Sequence, residues 1–305
     1  MQTFSPTDTQ RLPGRAALEM DEHSESMRAF EFVQTLANEL SHGRIDLPSY
    51  PDVAIRVRHV LEDENVTNDR VARVVSSDAG LATRVLAMSN SAALSRDGRP
   101  ITDLKMAVTR IGHLNVRSAA LSYALGQIRS ATRNEAIRNE LADLWEKSTL
   151  VAALARVLAI RIRAAHPDEA QLAGLLHNIG RVYILARADR HSDLFDQPGE
   201  REELMRHWHA HIGKAIAQNW GLPETVSDAI GEQDAFDRVD CTRDLIDLLC
   251  VSIRMAEFHG PVEEMEQSLA SLLAYRRLGI RGDALREVMA QAGEEIASLR
   301  AALGG

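Results

Sequence analysis

A chain of 305 residues is long enough for one large domain or two ordinary domains. Its formal net charge of −9 and pI of about 5.7 give no bulk attraction to nucleic acid or to an anionic membrane. No apolar run approaches the roughly 20 residues of a membrane-spanning helix, and residues 1–14 lack the pattern of a secretion signal. We therefore expect a cytoplasmic protein with neither a nucleic-acid partner nor a membrane partner.

The composition favours helices over strands. Aromatic residues make up only 4% of the chain, while Ala, Leu and Arg, which are good helix formers, are abundant. We find no alternating strand pattern, fixed-period repeat or phosphate-binding glycine loop. Cys241 and Cys250 set no disulfide framework, and we expect both thiols to be reduced. The sequence predicts an all-α protein.

The N-terminal part begins with a polar stretch and continues as short helices. Residues 1–24 are polar and broken by prolines, which predicts a disordered tail. Residues 26–40 then show helical spacing. Five more helices are predicted: one near residues 52–63, one after an N-cap at Thr67, one after Asp78, one after Thr102 or Asp103 that stops at Gly112, and one over residues 115–126.

The polar segment 127–140 predicts a junction between two helical lobes. Beyond it, apolar periodicity predicts seven helices, over about residues 141–165, 169–187, 202–220, 223–231, 242–258, 262–277 and 282–302. We therefore divide the chain into a tail, an N-terminal lobe, a second lobe and a C-terminal helical extension, which are residues 1–24, 25–130, 131–260 and 261–305. Residues 25–305 together are expected to form one two-lobed helical bundle.

Residues 174–181, which read GLLHNIGR, nearly form a metal-binding motif. An Asp at position 178 would complete the His-Asp pair that holds metal in a large class of helical phosphohydrolases. The chain has Asn178 after His177 instead. An amide oxygen is neutral and binds a divalent cation less well than a carboxylate does.

A series of short motifs extends this similarity along the chain. They are LPSYP at 47–51, SDAGL at 77–81 with Asn90-Ser91, Pro100-Ile101 with AVTRIG at 107–112, LWEKS at 144–148, the 174–180 block, His211 before Gly213, and WGLP at 220–223. In this order they resemble the HDOD family, the HD-related output domains of bacterial signalling proteins, over residues 41–260. The resemblance implies an all-α fold whose C-terminal lobe is a relative of the HD phosphohydrolases.

The resemblance also shows which metal ligands have changed. The first ligand position holds Lys147, the His-Asp pair is His177-Asn178, and the downstream histidine is His211. The expected histidine pair after WGLP falls near Glu232-Gln233, and the final aspartate near Glu257. The predicted vestigial HD pocket, a candidate ligand site, comprises Lys147, His177, Asn178, Arg181, His211, Gln233 and Glu257.

Each of these residues also has a purely structural interpretation. His177 and His211 are equally compatible with ordinary interior or cleft histidines. His207 and His211 share a helix face, as two metal ligands can, but no glutamate base accompanies them. Lys147 suggests a further hypothesis, in which its ammonium occupies the vacated metal position and bridges to Glu257 or Gln233.

The function expected from these residues is that of a non-catalytic regulatory adaptor in bacterial signal transduction. It would bind a signalling protein partner and a candidate nucleotide ligand. The anion pocket for that ligand would use a subset of eight arginines, most of which are expected on solvated faces: Arg110, Arg117, Arg129, Arg133, Arg138, Arg156, Arg161 and Arg163. No receiver or kinase segment is recognisable, so a stand-alone adaptor without cofactor or catalytic residues is expected. The alternative is a residual metal-dependent phosphohydrolase acting on a nucleotide or phosphodiester, with His177, His211 and Glu257 as ligands. A nucleic-acid regulator is disfavoured by the net charge.

Overall fold

The computed structural model describes residues 34–35, 51–63, 65–91, 100–189, 199–239 and 243–303. Within these ranges the chain is all-α and contains no strand, which confirms the predicted fold class. The helices of 51–303 are α1 (Asp52–Leu61), α2 (Asn68–Val75), α3 (Ala79–Ser89), α4 (Leu104–Ala131), α5 (Glu135–Ile162), α6 (Pro167–Leu176), α7 (Ile179–Ala188), α8 (Glu200–Asn219), α9 (Glu224–Gly231), α10 (Leu245–Glu257), α11 (Val262–Leu269), α12 (Leu273–Leu278) and α13 (Asp283–Leu303).

Some predictions fall outside the described residues. They are the tail 1–24, nearly all of the predicted helix 26–40, the first four residues of the 47–51 motif, and Cys241. No helix in the described part of the chain is long and apolar enough to cross a bilayer.

Side-chain caps set the starts of the N-terminal helices. Thr67, Asp78 and Asp103 each accept a hydrogen bond from the backbone N–H three residues later, as their position before an apolar stripe predicts. Gly112, the predicted stop, is instead a kink inside α4, with a φ of 75° that favours glycine.

The prediction of one helix over residues 169–187 is wrong, because the chain breaks between α6 and α7 at His177 and Asn178. The apolar stripe continues across the break and therefore concealed it. The predicted helix 262–277 is likewise two helices, α11 and α12, separated by residues 270–272.

The chain has two hydrophobic cores, one on each side of α4. The first is built mainly from α1 to α4, and the second mainly from α5 to α12. Helix α4 serves both, since Val116 is buried in the first core and Ile128 in the second. The turn at Thr132–Asn134 between α4 and α5 falls within the polar segment that predicts the lobe junction.

Helix α13 packs against α5 and α3 and so contacts both lobes. Its Leu285 and Val288 are buried in the second core, whereas Leu299 is buried in the first. The half-buried Glu295 on α13 forms an ion pair with the buried Arg156 of α5 at 3.3 Å. The C-terminal segment therefore belongs to the folded body.

Two glycines bring the helices around the α6–α7 break into close contact. A Cβ at Gly174 would lie 2.6 Å from the Ala152 Cα on α5, and one at Gly180 would lie 2.0 Å from the His209 carbonyl oxygen on α8. Both distances are too short for any side chain. The two glycines therefore let α6 pack directly on α5, and α7 directly on α8.

Candidate functional site

The α6–α7 break buries two adjacent polar residues between helices. His177 and Asn178 are each only 4% exposed. Because Gly180 brings α7 against the His209 backbone, a second buried histidine lies beside them on α8. We call the group His177, Asn178, Arg181, His209 and Gln233 the HD-like site.

Backbone hydrogen bonds hold His177 in place. Its Nδ1 lies 2.7 Å from the Gly174 carbonyl oxygen and donates to it. The His177 carbonyl in turn accepts from the Gln233 side-chain amide at 3.0 Å. With Nδ1 protonated, the neutral imidazole keeps a lone pair on Nε2, the atom that can accept a hydrogen bond or bind a metal.

Asn178, at the position where the sequence predicts a lost aspartate, is bonded to α5. Its side-chain Nδ2 donates to the Ser148 hydroxyl of α5 at 3.3 Å. The Gln233 amide nitrogen donates to the carbonyl oxygens of both His177 and Ile230. Both amides therefore bond to the protein itself, as buried polar groups usually do.

His209, and not His211, is the histidine that α8 contributes to this site. His209 is 3% exposed, and its Nδ1 donates to the Met205 carbonyl oxygen at 2.6 Å. Its Nε2 lies 3.5 Å from an Asp234 carboxylate oxygen. His211 is exposed, and its ring contacts Trp208 at 6.2 Å between centroids. The structure does not bring His211 to His177.

The electrostatics of the site keep both imidazoles neutral. Burial, with smaller contributions from the charges of Arg181 and Lys147, lowers the pKa of His177 to about 4, against the opposing hydrogen bond to Gly174. Burial followed by the Arg181 charge also lowers the pKa of His209, although Asp234 opposes this shift. Arg181 therefore lies near enough to repel positive charge from both rings.

Lys147 and Glu257 lie at the surface. Lys147 is exposed on α5 and contributes its charge to the surroundings of His177. Glu257 is the exposed last residue of α10 and pairs with Arg254 at 3.1 Å. In the part of the chain that the structure describes, no contact joins Lys147 to Glu257 or Gln233, so the proposed bridge is not formed. Within the same ranges, no group of three or more His, Cys, Asp or Glu side chains has metal-binding geometry.

Sequence reasoning missed His209, although the periodicity of α8 contains the signal. Buried positions on this helix include Ile212, Ile216 and Ala217, and counting back in helical steps reaches 209, whereas 211 falls on the exposed face. The motif at 144–148 contains Ser148 but gives no indication of its partner. Its contact with Asn178 spans 30 residues, and no local pattern encodes it.

Comparisons with known proteins agree with this architecture. A Shewanella amazonensis SB2B protein that carries the provisional name metal-dependent phosphohydrolase is 26% identical, with a TM-score of 0.67 over 90% of this chain and 99% of its own. An HDOD domain protein of unknown function from Geobacter sulfurreducens is 26% identical, with a TM-score of 0.59 over 91% of this chain and 97% of its own.

A sequence relative and a family model extend the comparison. An uncharacterized protein of Treponema pallidum (strain Nichols) is 27% identical over 244 residues, which is 74% of this chain but 46% of that protein's length. The HDOD domain model matches residues 47–236, more than half of the chain and both sides of the α6–α7 break. The chain therefore belongs to the HDOD domain family.

Proposed function

We propose that this protein is a non-catalytic adaptor in bacterial signal transduction, acting through binding to a signalling protein. The observation that carries the proposal is Arg181 in the first turn of α7, directly after the buried His177-Asn178 pair and within electrostatic range of His177 and His209. In an HD hydrolase this region holds metal cations. Here a fixed guanidinium charge stands near His177 and His209 and opposes any second cation.

The donor atoms of the site support the same interpretation. Asn178 and Gln233 offer neutral amide oxygens, which are weaker ligands for a divalent cation than carboxylates. The Asp234 carboxylate is more than half exposed and lies against His209. Two imidazoles and two amides beside a guanidinium do not fit the metal that HD hydrolases use.

The family supplies the signalling part of the proposal. HDOD domains are HD-related output domains, and the match to that family covers the whole region around the HD-like site. Helix faces of a two-lobed helical body are surfaces on which a protein partner can dock. The identity of that partner does not follow from the fold.

One observation favours the alternative, a residual metal-dependent phosphohydrolase. His177 and His209 both donate through Nδ1, which leaves Nε2 of each neutral ring available as a metal ligand. The provisional name of the Shewanella protein suggests the same activity for that relative. Two histidine ligands without a bridging carboxylate make a weak site, and Arg181 weakens it further.

Hydrolysis of bis-p-nitrophenyl phosphate with Mn²⁺ or Mg²⁺ separates the two functions. We expect the wild-type rate to equal that of the His177→Ala and His209→Ala variants. The His211→Ala variant, which removes an exposed histidine, is the matched control for histidine loss. A metal-dependent rate that both buried-site variants abolish and His211→Ala retains would establish the hydrolase instead.

A further inference from the structure

A cavity that opens to solvent lies at the junction of the two lobes, and its empty space of about 530 Å³ includes this open part. Its walls come from α3 and α4 on one side and from α5, α6 and α7 on the other. Most of the lining is apolar, including Leu141, Leu144, Leu175 and Val182, with the half-buried Trp145 indole among them. A concave, mostly apolar lining with a few polar groups is typical of a small-molecule site.

Two arginines from the first lobe supply positive charge to this cavity. Arg84 of α3 is partly buried and donates to the Ser122 hydroxyl at 2.7 Å, with its guanidinium 5.6 Å from the centre of the Tyr123 ring. Arg129 of α4 also lines the cavity. Burial lowers the pKa of Arg84, and the neighbouring Arg129 charge lowers it further.

The part of the chain that the structure describes supplies no counter-charge to this pair. Among the described residues, no carboxylate pairs with Arg84 or Arg129, and the cavity lining contains no Asp or Glu. Two neighbouring guanidinium groups repel each other, and partial burial makes the repulsion more costly. Arg238, another half-buried arginine, has acidic partners in Asp244 and Asp247. An anion between the two groups would satisfy both.

We propose that the cavity binds a small amphiphilic organic anion, whose apolar body lies against Leu144, Trp145 and Val182 and whose phosphate or carboxylate group lies between Arg84 and Arg129. This goes beyond the adaptor function and does not depend on it, since it concerns a small-molecule cavity and not a surface for a protein partner. The cavity also reaches Asn178, which places its inner end next to the HD-like site.

A pair of matched fluorescent probes tests the proposal on the full chain. 8-Anilino-1-naphthalenesulfonate carries an anionic group on an aromatic body, and N-phenyl-1-naphthylamine has a similar body without the charge. We expect Arg84→Gln and Arg129→Gln each to weaken binding of the anionic probe by about tenfold or more, because each removes a charge-assisted contact. Binding of the neutral probe should change less than about twofold, which also shows that the cavity is still folded.

Two further variants locate the binding. A Cβ at Gly126 would meet only the Arg84 side chain, at 3.8 Å, so Gly126→Leu fits on α4 and fills part of the cavity. We expect it to abolish binding of both probes. Arg73→Gln, which removes an exposed arginine of α2 outside this cavity, should leave both affinities unchanged. Equal affinity of the anionic probe for the wild type, Arg84→Gln and Arg129→Gln would overturn the proposal, and so would binding that survives Gly126→Leu.

Competition identifies the kind of apolar body. Adenosine monophosphate and octyl phosphate carry the same anionic group on an aromatic and on an alkyl body. Displacement of the anionic probe by either one supports the proposal and assigns the ligand class, whereas displacement by neither at millimolar concentration overturns it. These readouts involve no metal, hydrolysis or protein partner, so their failure is distinct from failure of the adaptor function.

Discussion

At the scale of single residues, His177 gives the site a pH dependence whose direction follows from burial. An unfolded imidazole binds a proton below its ordinary pKa of about 6.5, whereas the buried ring stays neutral down to about 4. The unfolded state therefore binds more protons within this window, and the free energy of unfolding falls as the pH falls. Above the window the His177 ring is neutral in both states and adds no pH dependence.

We predict that His177→Gln, which keeps an N–H donor but cannot titrate, loses less stability on acidification than the wild type. Between pH 7.5 and pH 5, the wild type should lose about 2 kcal/mol more than the variant, from a shift of about 1.4 kcal/mol per pH unit over the part of the window crossed. Urea unfolding at both pH values measures the difference. His211→Gln is the control, and the same loss in the wild type and His177→Gln would show that His177 titrates normally.

The sequence located some of these residues and missed others for a definite reason. The His177-Asn178 pair is contiguous, so one motif carries it, and the structure buries both residues. His211 was chosen by its position before Gly213, but side-chain direction on a helix changes by about 100° per residue, so a two-residue error moves a histidine from the core to solvent. Arg84 carried no motif, and only the tertiary fold places it near Arg129.

At the scale of helices, α7 and α8 can pack in direct contact because Gly180 has no side chain. We predict that Gly180→Ala lowers the free energy of unfolding by roughly 2–4 kcal/mol, because the new methyl group would overlap the His209 backbone and force the helices apart. The displacement of His209 should also alter the NMR signals of the His177 ring.

Gly293→Ala on α13 is the matched control for this substitution. No atom lies within 4 Å of a Cβ placed there, so alanine should raise stability by about 0.5–1 kcal/mol through helix propensity alone. Urea unfolding of both variants tests the comparison. Equal stability of Gly180→Ala and the wild type would mean that the two helices pack less closely than the structure shows.

The sequence predicted the capped starts of several helices, but it did not predict the break between α6 and α7. Capping residues such as Thr67 and Asp78 fixed several starts, because a cap is a local interaction. The break at His177 was missed because the apolar stripe of α6 continues in α7 without interruption. Such a break depends on bonds to Gly174, Ser148 and Gln233, two of which lie far away in sequence.

At the scale of the whole molecule, α13 joins the two cores. We predict that Leu285→Ala and Leu299→Ala, in different cores, each lower the free energy of unfolding by about 2–4 kcal/mol, as cavities left by buried leucines do. Each variant should still unfold in one cooperative transition, since the same helix stabilises both lobes. Gln291→Ala on the exposed face of α13 is the control.

Calorimetry and urea unfolding, read by two probes, check this prediction. If Leu299→Ala separated unfolding into two transitions, the lobes would be independent and α13 would not couple them. The sequence indicated that residues 261–305 had apolar surface to bury. It did not indicate against which lobe, because that depends on contacts with α5 and α3 across more than one hundred residues.

The measurement that tests the central claim most directly is elemental analysis by plasma mass spectrometry on untagged, freshly purified protein. The adaptor function, with Arg181 opposing cations at His177 and His209, predicts far less than one metal ion per chain. A divalent metal at roughly one per chain that is lost in His177→Ala and in His209→Ala, but kept in His211→Ala, would contradict it and establish a metal site of the hydrolase type.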